Sequence, residues 1–76
     1  MSNLLAQRVE ETLRPVIGTV LASVSVDVES KRLGKTPETL DRGDLVPMAD
    51  NLVAALRLVI GQEMAEAAAM KLRELA

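Results

Sequence analysis

Between Leu45 and Ala76 apolar side chains return at the spacing of an α-helix, and a helix of that length needs something to cover its apolar side. Leu45, Met48, Leu52, Leu56, Ile60, Met64, Ala67, Leu72 and Leu75 follow one another at steps of three, four and once five, the helical period. Alanine, leucine, glutamate and arginine, all strong helix formers, dominate the stretch. A single helix cannot bury its own stripe, so a partner segment is required, and the chain supplies one upstream.

That partner is predicted over residues 3–33. Ser2 and Asn3 are acceptable N-caps, and Leu5, Val9, Leu13, Ile17, Val20, Val24 and Val28 then keep helical spacing. Glu10 and Glu11 near the start and Lys31 and Arg32 near the end suit the helix dipole. Pro15 is the difficulty. Inside a helix it removes a hydrogen bond, at a cost of about 3 kcal/mol if nothing compensates. The expectation is a kink near Val9 to Leu13, or a short first helix followed by a second one.

Residues 24–29 also alternate as a half-buried strand would, Val-Ser-Val-Asp-Val-Glu. An internal echo favours helix. Leu13-Arg14-Pro15-Val16-Ile17-Gly18 matches Leu56-Arg57-Leu58-Val59-Ile60-Gly61, and Ala22 then matches Ala65. The second copy lies in an alanine-rich helical context, and an isolated strand would have no pairing partner. If the echo is structural, the two segments are similar units related by a pseudo-twofold.

The connection spans 34–44. Gly34 reads as a left-handed C′ residue ending the first helix, and Thr36-Pro37-Glu38 as the start of a one-turn helix. Asp44 reads as the cap of the last helix, placing Pro47 at its third position, where a missing N–H costs little.

The expected fold is therefore all-α, a single domain over 1–76. It is a hairpin of two long helices, about 3–33 and about 45–75, joined by a structured connection. Helices of thirty residues run about 45 Å, and a lone hairpin of that length leaves apolar surface open. In 76 residues, 49% apolar and without an aromatic, the simplest closure is a homodimer forming a four-helix bundle. Leu13, Ile17, Val20 and Val24 on the first helix and Leu52, Leu56, Ile60 and Met64 on the last are the predicted centre of core or interface. Gly18, Ala22, Gly61 and Ala65 are predicted sites of close helix packing, and Met48, Met64 and Met70 gap-fillers in a helical core.

Composition narrows the chemistry. Histidine, cysteine and all aromatics are absent. The usual neutral-pH general base, Cys/His zinc sites, disulfides and stacking platforms for bases go with them. Glu63 and Glu66 lack the Glu-x-x-His partners of a di-metal bundle. Residues 41–44, Asp-Arg-Gly-Asp, lack the spacing of a calcium loop, and Gly34-Lys35-Thr36 lacks the glycine-rich approach of a phosphate loop. No catalytic, cofactor or metal residue is expected. A net charge of −2 offers no general attraction to nucleic acid or an anionic membrane. The start of the chain has no basic-then-apolar leader and no segment is long and apolar enough to span a bilayer, so the expected location is the cytoplasm.

The functional expectation is a non-enzymatic protein–protein interaction or oligomerisation module, self-associating through aliphatic helix faces. The alternative is a small DNA-associated regulator using Lys31, Arg32 and Lys35. A third reading is an adaptor whose stripe is covered by a different protein.

Overall fold

The computed structural model describes residues 4–76; the expected caps Ser2 and Asn3 lie outside the described residues. The described residues form four α-helices and no strand: α1 (Leu4–Ile17), α2 (Thr19–Arg32), α3 (Leu45–Ile60) and α4 (Gln62–Glu74), with a 3-10 turn at Arg42–Asp44 before α3. Residues 24–29, where helix and strand competed in the sequence, are helical.

The two long rods do not form. Each predicted rod is broken once, at a glycine, and folds back on itself. The molecule measures 30 × 21 × 20 Å, too short for a rod of about 45 Å. Pro15 sits within α1, which continues through it to Ile17. The interruption comes three residues later, at Gly18. Of the two outcomes expected from Pro15, the one observed is a short helix followed by a second.

Gly18 and Gly61 are the corners. Their dihedrals are nearly identical, φ 86° and ψ 164° against φ 88° and ψ 160°, in a region that only glycine enters cheaply. Their hydrogen bonds also match. The Gly18 N–H donates to the Arg14 carbonyl (2.9 Å), and the Gly18 carbonyl accepts from the Ala22 N–H (3.0 Å). At the second corner Gly61 donates to Arg57 (3.2 Å) and accepts from Ala65 (3.1 Å). One residue thus closes one helix and opens the next. Nothing lies within 4 Å of a Cβ built on either glycine, so the backbone conformation, and not crowding, calls for glycine here.

Antiparallel folding at these corners decides which faces are buried. The predicted stripe holds up to each glycine; after it Val20, Val24, Val28, Met64 and Ala67 are exposed, while Leu72 is buried and Leu75 half-buried. In α1 Val9 and Leu13 are buried, and in α3 Leu45, Met48, Leu52 and Leu56. Beyond the corners the buried residues are Ala22, Ser25, Val26, Glu29 and Ser30 in α2, and Ala65, Ala68, Ala69 and Leu72 in α4. Each hairpin therefore lays a helix with large apolar side chains against one with mostly small ones. A one-residue link leaves little room between the axes, and small residues let helices approach closely. Ser25 and Ser30 are tolerated on this face because serine can satisfy itself locally: the buried Ser30 hydroxyl donates to the Val26 carbonyl at 2.6 Å.

The echo extends through much of the buried surface. Shifting the first hairpin by the 43 residues that separate Gly18 from Gly61 lays Ala6 on Ala49, Val9 on Leu52 and Leu13 on Leu56. It also lays Ala22 on Ala65, Ser25 on Ala68, Val26 on Ala69 and Glu29 on Leu72, and every one of these residues is buried. The hairpins meet through α1 against α4 and α2 against α3, the two pairings that a pseudo-twofold exchanges. One chain thus supplies four helices, and the premise that a second hairpin is needed to complete such an arrangement is corrected.

The connection is held by specific contacts. α2 ends in a Schellman motif, with the Gly34 N–H on the Lys31 carbonyl (3.0 Å), the Lys35 N–H on Ser30 (2.9 Å) and Gly34 at φ 73°. Thr36 to Thr39 forms a hydrogen-bonded turn in place of the expected one-turn helix, and the short helical turn falls instead at Arg42–Asp44. Asp44 does not cap α3 with its side chain. Its carboxylate accepts from the Asp41 N–H at 2.9 Å and from Lys35 Nζ at 2.7 Å. Lys35 also reaches Asp41 at 3.0 Å, and the buried Leu40 anchors the segment to the core.

Candidate functional site

Both glycine corners project from the same end of the molecule. Arg73 near the end of α4 pairs with Asp50 near the start of α3 at 2.8 Å, so these two helices run antiparallel over their length. Lys35, just after α2, is tied to Asp41 and Asp44, just before α3. Leu4, Leu5 and Arg8 of α1 border a surface depression with Asp41 and Arg42. The start of α1, the end of α2, the start of α3 and the end of α4 therefore gather around the connection. Gly18 and Gly61 lie at the other end.

Large apolar side chains stand in solvent at that end. Leu58 is 85% exposed and Val59 68%, on the last turn of α3. Val20, the second residue of α2, is 77% exposed, and Met64 opens α4 nearly half exposed. Val16, Ile17, Leu21 and Ile60 are half-buried beside them. Scattered exposed aliphatics are ordinary on a protein surface, and Leu4, Val46 and Met70 toward the other end are exposed as well; what sets the second corner apart is that the consecutive Leu58 and Val59 are both exposed. A shallow hollow lies at the second corner, lined by Ile60, Gly61, Gln62, Glu63, Met64 and Glu66.

The predicted core or interface residues divide. Leu13, Leu52 and Leu56 are buried, and Ile17 and Ile60 half-buried near the corners. Val20, Val24 and Met64 are exposed, which corrects their placement in a core. The reversal at each glycine turns the small-residue face of the following helix inward and the valine or methionine outward. Ala22 and Ala65 are fully buried, four residues past each corner. Gly18 and Gly61 are not mid-helix packing positions but the exposed corners themselves. Of the methionines, Met48 is in the core, while Met64 and Met70 are exposed.

The basic cluster is matched within the chain. Lys31 pairs with Asp27 at 3.2 Å, Arg32 with Glu29 at 3.4 Å, and Lys35 with Asp41 and Asp44. The hydrogen bonds it donates to Asp44 and then to Asp41 hold the Lys35 ammonium above its ordinary range, and the bond from Lys35 holds Asp44 below its own. A phosphate would have to compete with these carboxylates for each cation.

Glu29 was not singled out in the sequence. It is 2% exposed, and its Oε1 accepts no hydrogen bond although Arg32 Nε lies 3.4 Å away. Burial pushes its carboxyl above the ordinary range, and Arg32 only partly opposes this. The signal that marks it is the register of the echo, which sets Glu29 on Leu72. Leu40 was missed for a different reason: it belongs to no periodic run.

Among the described residues no cluster of three carboxylate, histidine or cysteine side chains is placed to hold a metal ion, and no helix is long and apolar enough to cross a membrane. Comparison with protein-family models, with curated proteins and with solved structures finds no match to this chain.

Proposed function

We propose that this protein is a non-enzymatic interaction module that self-associates, and that the aliphatic side chains at its corner end are the surface it uses. The observation that carries the reading is the exposure of the consecutive Leu58 and Val59, with Val20 at the other corner, on a molecule whose interior is already filled by other residues. These side chains contribute nothing to the core, and covering them stabilises an assembly by about 25 cal/mol for each Å² of apolar surface removed from water. Met64 and the half-buried Ile17 and Ile60 adjoin them, so residues first read as core or interface serve here as interface.

Light scattering over a wide range of protein concentration tests the reading. The expected mass rises from the 8.2 kDa of one chain to a multiple of it. A mass that stays at 8.2 kDa up to millimolar protein, with helicity intact, would leave the adaptor reading in its place.

A further inference from the structure

We infer that the α3–α4 corner is a self-complementary surface that takes a second copy of this chain across a twofold axis. The inference rests on the self-association reading and adds the surface, its geometry and its charge pattern.

Two features lie side by side at this corner. Leu58 and Val59 form a projecting apolar knob on the last turn of α3. Around Gly61 the apolar Ile60 and Met64 line the hollow, together with the carboxylates of Glu63 and Glu66. Arg57 flanks the knob. Arg57 and Glu63 are both exposed, and neither side chain takes part in an ion pair or a hydrogen bond within the chain. A twofold contact is isologous, so whatever one copy offers it also receives. The knob of each copy then enters the hollow of the other, and Arg57 of each copy meets Glu63 of the partner subunit. Apolar surface is covered twice, and two charges left free within one chain are matched between chains.

The first corner does not offer this. By the 43-residue shift, the place of Leu58 is taken by Pro15 and the place of Glu63 by Val20, while Arg14 is already drawn to Glu10 at 4.0 Å. The charge pattern selects the second corner from two nearly identical backbones.

Sedimentation of the purified chain and four variants decides the matter. Leu58, Arg57 and Glu63 are exposed, so substitutions there leave the four helices in place, with circular dichroism as the control. The wild type is expected to dimerise. Leu58→Asp raises the dimer dissociation constant by about a hundredfold or more, because the twofold puts the change into the interface twice. Arg57→Glu and Glu63→Arg each raise it by about tenfold, and the double swap Arg57→Glu/Glu63→Arg returns it to within about threefold of wild type. A wild-type dimer that persists with Leu58→Asp and ignores both charge changes overturns this interface while leaving self-association standing. A double swap as weak as the single ones overturns the pairing of Arg57 with Glu63. A wild type that remains one chain at all concentrations overturns this inference and the self-association reading together.

Discussion

Glu29 and Leu72 occupy the same place in the two hairpins. They are separated by the interval that separates the corner glycines, and both are withdrawn from water, at 2% and 0% exposure. One repeat fills the position with an aliphatic side chain. The other fills it with a carboxyl group that has one oxygen unbonded and a partly exposed arginine at 3.4 Å. The backbone arrangement is shared, so the difference isolates what a charge costs at that depth.

Glu29→Leu should therefore stabilise the protein at neutral pH, on the order of 1–3 kcal/mol, since aliphatic replacements of buried ion pairs are commonly neutral or favourable. The pH dependence carries the sharper sign. The folded carboxyl titrates above the ordinary 4.5 because burial disfavours its charge. Wild-type stability is greatest below that value and falls as pH rises from it through the folded pKa; above that, the penalty is constant. Glu29→Leu should abolish this decline. Urea midpoints between pH 4 and 8 compare the two, and parallel curves would mean that Glu29 reaches solvent.

Asp44 should act in the opposite direction. The hydrogen bond from Lys35, then that from the Asp41 N–H, holds its carboxyl below the ordinary 3.8. Its contribution is complete above that value and disappears as pH falls through the folded pKa. Asp44→Asn should be less stable than wild type at pH 7, and the gap should close on acidification. Thermal melts of both proteins from pH 7 down to pH 2 give the comparison.

Gly61→Ala should cost about 1–3 kcal/mol, because φ 88° with ψ 160° is strained for any residue with a Cβ. No neighbour crowds the site, so the loss is a property of the backbone and should be closely matched at Gly18. Denaturant titration measures it. A stabilising effect, with a larger hydrodynamic radius, would show that α3 and α4 prefer to join into one rod.

Ala65→Leu tests the close approach of α4 to α3. Ala65 is fully buried one turn past the corner, where a one-residue link keeps the axes near each other. Overpacking typically costs about 1–3 kcal/mol. The reverse change at exposed Leu58, Leu58→Ala, should move the urea midpoint of the isolated chain very little, because that side chain packs against nothing in the core.

Much of this architecture is legible in the residues. Helical spacing, alanine content and the Gly34 and Pro47 signals locate helix and connection, because each depends on contacts within a few residues. The match of Leu13–Gly18 to Leu56–Gly61 was visible too. Its consequence was not, because a glycine inside a periodic pattern reads equally well as a tolerated helical residue. Once Gly18 and Gly61 are corners, the apolar stripe changes phase. That is why Val20, Val24 and Met64, in step with Leu13 and Leu56, face water, and why Ser25 and Glu29 do not.

By itself the sequence determined that the described chain is helical and where its connection lies, and it carried the echo of two similar halves, since local spacing and propensity act before distant parts meet. Only the tertiary structure decided that each half doubles back at a single residue. That choice depends on the energy of packing a small-residue helix against a large-residue one, a contact between faces that no local window contains. With it came the identity of the buried face, the burial of Glu29, and the exposed corner at Leu58 and Val59.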